Sequence, residues 1–83
     1  MKIEILGTGC PKCNLLEATA KAAADQLGIH YEIDHVRDIN AILSRGVMMT
    51  PALAVDGQVV LSGKVPREAE VAALLRTALG RSA

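Results

Sequence analysis

The sequence predicts a single α/β domain whose elements follow the order β-α-β-α-β-β-α. Three observations support this prediction: a short apolar run that ends in Gly7-Thr8-Gly9, a long segment rich in alanine and leucine after it, and an Asp56-Gly57 pair between two apolar segments. The first is typical of a buried strand that leads into a loop, the second of an amphipathic helix, and the third of a two-residue hairpin. With 83 residues the chain is long enough for one compact core.

The first half of the chain is predicted to form a βαβ unit. Its first strand contains Ile3, Ile5 and Leu6, and its first helix is predicted from Pro11, which suits a first helical position, to about Leu27. Apolar side chains recur along this helix at three- and four-residue steps and form one buried stripe: Cys13, Leu16, Ala20, Ala23 and Leu27. Alternating apolar and polar residues over 31–36 predict a second strand, parallel to the first because a helix connects them.

The second half of the chain is predicted to contain a short helix and a hairpin. Asp38 is a suitable N-cap for this helix, and Gly46 is expected to end it. The hairpin strands are predicted over residues 52–55 and 58–62, on either side of Asp56-Gly57. The two strands are therefore antiparallel.

A last helix completes the domain. Pro66 is expected to open it and Gly80 to end it. Its inward-facing residues are predicted to be Val71, Leu74, Leu75 and Ala78. The sequence thus predicts one domain over residues 1–80 and a short C-terminal tail over residues 81–83.

Composition and charge argue against several function classes. Nine basic residues balance nine acidic ones, and Tyr31 is the only aromatic residue, so the chain lacks the positive field and the stacking rings of nucleic-acid-binding proteins. Charges interrupt the amino-terminal segment before a signal-peptide core could form, and no stretch approaches the roughly 20 apolar residues of a membrane helix. We therefore expect a cytoplasmic protein that has neither nucleic acid nor membrane as a partner.

The reactive residues are concentrated in Cys10-Pro11-Lys12-Cys13. A bridge between cysteines this close closes too small a loop to stabilise a fold, so the pair either serves chemistry or consists of two ordinary buried cysteines, and the flanking sequence favours chemistry. Cys10 precedes the helix, where free N–H groups and the helix dipole favour a thiolate, whereas Cys13 begins the buried stripe. We therefore interpret Cys10 as the nucleophile and Cys13 as the resolving thiol. Lys12 either favours the thiolate through its charge or is a solvated surface lysine.

The element order, together with Gly9-Cys10-Pro11-Lys12-Cys13 and Met49-Thr50-Pro51, resembles the small thioredoxin-like proteins, in particular the minimal redox-active disulfide proteins of bacteria and archaea. The resemblance covers nearly the whole chain. It implies a minimal thioredoxin-like fold, with a four-stranded mixed sheet flanked by three helices and without the strand and helix that precede this unit in full-length thioredoxins. The sequence departs from thioredoxins at Gly9, where they have an aromatic residue, and it contains no tryptophan.

The resemblance also implies roles for four further residues. Pro51 is expected to form a cis peptide bond and to face the dithiol, while the backbone of Thr50 pairs with the substrate chain. Gly63 resembles the glycine that lets substrate backbone approach, although a plain turn glycine explains it equally well. Glu4 lies where thioredoxins place a buried carboxylate that helps to move protons to the resolving cysteine, although an alternating strand would simply expose it.

These observations predict a dithiol-disulfide oxidoreductase that reduces disulfides in client proteins and requires no cofactor. An upstream donor would reduce it again, either a flavin- and NADPH-dependent reductase or a thiol pool. The same dithiol would also serve a redox-sensing interaction module that changes a partner in one redox state. The sequence leaves this alternative open.

A carrier of Cu(I) or Zn(II) is the main rival from another class, since two closely spaced thiolates suit soft metals. Met48 and Met49 would be extra ligands in such a site, but adjacent methionines more often line an apolar rim. His30 and His35 flank the second strand far along the chain from the dithiol, and we interpret both as strand or surface residues. Metal-carrier domains of this size usually run β-α-β-β-α-β, which argues against this rival.

Overall fold

The computed structural model describes residues 1–9 and 11–82, and its elements follow the predicted order. The strands are β1 (Lys2–Leu6), β2 (Glu32–Val36), β3 (Ala52–Val55) and β4 (Gln58–Ser62), and the helices are α1 (Pro11–Leu27), α2 (Ile39–Ser44) and α3 (Glu68–Ser82). The sheet order is β2-β1-β3-β4, with β2 parallel to β1 and with β3 antiparallel to both β1 and β4. The predicted four-stranded mixed sheet with three helices is confirmed.

Alternation along the central strand β1 divides the core between the two faces of the sheet. Ile3 and Ile5 belong to the larger cluster, which includes side chains of α1 and α3, whereas Leu6 packs with Ile42 of α2 in a smaller cluster. Each large aliphatic side chain buried in this way contributes roughly 1.5–3 kcal/mol relative to its exposed state. β1 therefore contributes to the core on both faces of the sheet, and its carboxyl end leads towards α1.

Helix α3 departs from the prediction at both ends. It begins at Glu68, so Pro66 precedes the helix instead of opening it, and it continues through Gly80 to Ser82. The prediction that Gly80 ends this helix is therefore wrong, since residues 81 and 82 belong to α3. A glycine in a helix costs only about 1 kcal/mol relative to alanine, so its presence near the end of a helix does not by itself stop the helix.

None of the helices within residues 1–9 and 11–82 combines the length and apolar character of a membrane span.

Tyr31, the residue before β2, forms a hydrogen bond with the last part of α1. Its hydroxyl donates a hydrogen bond to Asp25 Oδ1 at 2.8 Å. This hydrogen bond, then burial, and then the negative charge of Asp25 raise the pKa of the Tyr31 phenol above its ordinary value. We expect an ultraviolet absorbance titration to give an apparent pKa above about 10. Asp25→Asn should lower this pKa towards the ordinary value.

The matched control is Glu32→Gln, which removes a neighbouring charge but none of the hydrogen bonds of Tyr31. Glu32→Gln should change the apparent pKa of the Tyr31 phenol less than Asp25→Asn does. If wild type and Asp25→Asn gave the same apparent pKa, Asp25 would not be the cause of the raised value. Because the folded state holds the phenol proton more tightly than the unfolded state, the stabilisation is complete below the unfolded pKa of about 10. It is lost as the pH rises through the folded pKa.

Candidate active site

Cys13 lies buried on the first turn of α1, just beyond the carboxyl end of β1. Pro11 begins the helix, and the helical period turns Cys13 inwards with Leu16 and Ala20. A Cβ placed on Gly7 would overlap Cys13 Sγ and would lie 3.2 Å from Cys13 Cβ. The missing side chain at Gly7 therefore makes room for the sulfur. The sequence identified Gly7 only as the start of a loop, since this close approach is made in three dimensions.

Pro51 lies beside the same glycine. The Thr50–Pro51 peptide bond is cis, which confirms the conformation that the resemblance implies. Pro51 is fully buried, and its Cα lies 3.9 Å from the position that a Cβ on Gly7 would take. Gly7 is therefore a common neighbour of Cys13 and Pro51. The proposed roles of Pro51 and Thr50 towards substrate remain predictions.

Met48 and Met49 form an exposed apolar rim next to Thr50, with 88% and 64% of their surface accessible. Atoms of the Met49 side chain lie 3.2–3.4 Å from the position of a Cβ on Gly63, whose φ is +78°. The Gly63 N–H also donates to the Pro51 carbonyl oxygen at 2.9 Å. The positive φ of Gly63 is a conformation that other residues rarely adopt, and Met49 would have to shift slightly to admit a side chain at this position. Its role in substrate approach remains a prediction.

Glu4 is a buried carboxylate, with 5% of its surface exposed. Its burial agrees with the position that the resemblance implies and excludes the alternative in which the strand simply exposes it. Arg45, which follows α2, donates to Glu4 through both branches of its guanidinium, with Nη1–Oε1 at 3.0 Å and Nη2–Oε2 at 2.7 Å. These hydrogen bonds, together with the charge of Glu4, raise the pKa of Arg45 above its ordinary value. Sequence reasoning found the carboxylate but missed Arg45, which lies 41 positions further along the chain.

Two positively charged side chains, Lys12 and Arg37, lie near the start of α1. Lys12 is exposed on the first helical turn, which contains no acidic residue. The guanidinium of Arg37 approaches Gly9, with Nη1 lying 3.2 Å from the position of a Cβ on that glycine. Sequence reasoning missed Arg37. The available signal was its place directly after β2, because parallel pairing sets Val36 beside Leu6 and brings the carboxyl ends of both strands together.

Cys10 lies outside the described residues, so its assignment as the nucleophile rests on the sequence alone.

The two histidines have different environments. His30 is exposed before β2, whereas the His35 side chain is only 9% exposed and its Nδ1 lies 3.2 Å from Glu17 Oε1 on α1. His35 is therefore an interior strand residue and not a surface residue. Across residues 1–9 and 11–82, no group of three or more side chains of the types that bind metals comes together.

The order of the strands and the position of Cys13 and Pro51 are together typical of one class of protein. A central strand leads into a helix with a buried cysteine on its first turn, and a cis-proline lies against the same glycine as that cysteine. This arrangement, on a sheet of order β2-β1-β3-β4, is that of the thioredoxin-like proteins.

Comparison with known proteins agrees with this class. A family model described as thioredoxin domain matches residues 1–76. The chain is 40% identical over 75 residues to a thioredoxin of Methanothermobacter thermautotrophicus, a match that covers 90% of this chain and 97% of the relative. It is 43% identical over 77 residues to a thioredoxin of Methanocaldococcus jannaschii, covering 93% and 88% of the two chains. The chain therefore belongs to the thioredoxin family.

Proposed function

We propose that the protein is a dithiol-disulfide oxidoreductase that reduces disulfides in client proteins through a Cys10–Cys13 couple. Its membership of the thioredoxin family supports thiol-disulfide exchange as the activity. The observation that carries the proposal is the burial of Cys13 against Gly7 at the start of a 17-residue helix, with Pro51 beside the same glycine. In the sequence Cys10 directly precedes this helix.

The exchange proceeds in two steps. The Cys10 thiolate attacks one sulfur of the client disulfide, and the other client sulfur leaves as a thiolate and takes up a proton. Cys13 then loses its proton and attacks the Cys10 sulfur, and the second client sulfur leaves in the same way. The client gains two electrons and two protons, and the dithiol of the protein becomes a disulfide.

The different environments of the two cysteines set the order of these steps. The amino-terminal end of α1 carries the positive end of the helix dipole and has no acidic residue in its first turn, so it favours a thiolate at Cys10, which directly precedes the helix in the sequence. The Cys13 sulfur is buried away from water, which disfavours its thiolate before the mixed disulfide forms. Lys12 adds a positive charge to the first turn, and Glu4 is the candidate carboxylate for accepting the Cys13 proton.

Each cycle leaves the protein oxidised, so a donor must return two electrons. We infer that this donor is an NADPH-dependent reductase or a thiol pool, and that the protein works in the cytoplasm, where such systems keep thiols reduced. Two cysteines carry both electrons of the exchange, and the reaction therefore needs no bound cofactor.

The test is an equilibrium titration in graded thiol-disulfide buffers, with free cysteines trapped by alkylation and counted by mass. We expect one reversible two-electron transition with a midpoint in the cytosolic range, roughly −220 to −320 mV. Cys10→Ser should remove both this transition and the turnover of a disulfide substrate. Cys13→Ser should carry out only the first attack and accumulate a mixed disulfide with the substrate.

The two serine variants are matched controls for each other, since each removes one thiol but blocks a different step. If Cys10→Ser retained turnover, the assignment of the nucleophile would be wrong. If the wild type formed no internal disulfide and one bound metal ion protected both thiols from alkylation, the protein would be a metal carrier instead.

A further inference from the structure

Arg37 presents an exposed positive charge next to the residue that precedes Cys10. It follows β2 at the carboxyl end of the sheet, and its Nη1 and Cζ lie 3.2 and 3.9 Å from the position that a Cβ on Gly9 would take. Gly9 has a φ of +95°, a conformation that other residues rarely adopt. A side chain at this position would therefore be strained and would also press on the guanidinium. The glycine therefore leaves room for the guanidinium beside Gly9.

Asp38, the acidic residue next to Arg37 in the sequence, has a partner of its own. Its carboxylate accepts a hydrogen bond from the Asn40 backbone N–H at 3.3 Å as the N-cap of α2. The ion pairs among the described residues use Lys2, His35 and Arg45 but not Arg37. Arg37 is therefore a forked cation beside the site that forms no ion pair within the described part of the chain.

We infer that Arg37 binds a carboxylate that flanks the disulfide of the substrate, so that the protein prefers acidic clients. This inference rests on the proposed function. Guanidinium groups bind carboxylates with two parallel hydrogen bonds, and their charge is permanent. A carboxylate held by Arg37 influences the choice of client when it belongs to the molecule whose disulfide reacts with Cys10. In a protein substrate the suitable anion is an Asp or Glu side chain close to the cysteine.

The preference can be measured with two disulfide-linked peptides that differ only in Glu or Gln beside each cysteine. Pre-reduced protein is mixed with excess peptide, the reaction is quenched with acid, and the second-order rate constant is obtained for each peptide. Wild type should reduce the Glu peptide faster. Arg37→Gln should lower the ratio of the Glu to the Gln rate constant about two- to fivefold, as expected for an exposed charged contact. Salt should shrink the wild-type ratio.

Two further variants separate the charge from its position. Arg37→Lys keeps the charge but loses the fork, so it should restore only part of the ratio. Arg76→Gln removes the same charge from an exposed site in the second half of α3, and it should leave the ratio unchanged. Oxidised glutathione, which also carries carboxylates, serves as a third substrate. If Arg37→Gln lowered the rate constant for oxidised glutathione by a larger factor than the rate constant for the Glu peptide, the carboxylate would come from a small disulfide and not from a protein client.

The outcomes distinguish this inference from the proposed function. If wild type reduces neither peptide, the proposed function fails. If it reduces both and Arg37→Gln leaves their ratio unchanged, the function stands and the inference is wrong. If Arg37→Gln lowered the rate constants for both peptides equally and also shifted the pH dependence of Cys10 alkylation, Arg37 would act on the thiolate and would not select substrate.

Discussion

Gly7→Ala is expected to destabilise the protein and to impair disulfide reduction at the same time. The new Cβ would overlap Cys13 Sγ and would lie 3.2 Å from Cys13 Cβ, so either the sulfur or the start of α1 must move. Overpacking of this kind lowers the free energy of unfolding by about 1–3 kcal/mol. Because thiol exchange depends on the position of the sulfur, we expect turnover to fall about 10- to 100-fold. Urea unfolding followed by circular dichroism and a disulfide reduction assay measure the two effects.

Gly80→Ala is the matched control for this change. Gly80 lies within α3, and a Cβ placed on it would meet no atom within 4 Å. Alanine should therefore stabilise the helix by about 0.5–1 kcal/mol and should leave turnover unchanged. The same substitution is thus expected to have opposite signs at the two glycines. If Gly7→Ala were as stable and as active as the wild type, the close packing of Gly7 on Cys13 would be refuted.

Arg45→Met is expected to destabilise the protein, since it leaves the Glu4 carboxylate buried without its partner. Removing one member of a fully buried ion pair costs roughly 3–5 kcal/mol. The loss here is smaller because 34% of the Arg45 side chain stays exposed, whereas only 7% of the Glu4 side chain does. The measurement is again urea unfolding. Arg67→Met, at an exposed residue without an ion pair among the described residues, should change stability by less than about 0.5 kcal/mol.

The double variant Glu4→Gln/Arg45→Met should recover part of this loss, because a neutral amide is less costly to bury than an unpaired carboxylate. Strict additivity of the two single changes would contradict a direct interaction. The single variant Glu4→Gln also separates two roles of the carboxylate. A changed pH dependence of turnover would support proton transfer by Glu4, whereas an unchanged profile with reduced stability would leave the residue a purely structural role.

Local signals predicted the strands and the first helix well. Pro11 and the apolar stripe give α1 its start and its buried face, and Asp56-Gly57 joins β3 to β4 where the hairpin was expected. Asp38 caps α2 as predicted. The end of α3 was not predictable in the same way, because Gly80 is compatible with either helical continuation or a left-handed cap.

Residues that meet across the fold were harder to predict. The sequence placed Glu4 in the position of a buried carboxylate, but the identity of its partner depends on the distance between β1 and the residue after α2. Arg37 meets Gly9 only because β2 lies beside β1 in a parallel register. No periodicity or spacing within a single element contains this information.

The element order, the class of fold and the expectation of dithiol chemistry can be inferred from the amino-acid sequence. These inferences rest on side-chain periodicity, turn residues and the closely spaced cysteines, all of which act over a few neighbouring positions. Three contacts are visible only in the folded chain: Gly7 makes room for Cys13, Arg45 forms an ion pair with Glu4, and Arg37 lies beside Gly9. Each of these contacts joins residues from different elements, and it depends on packing and register that local sequence does not encode.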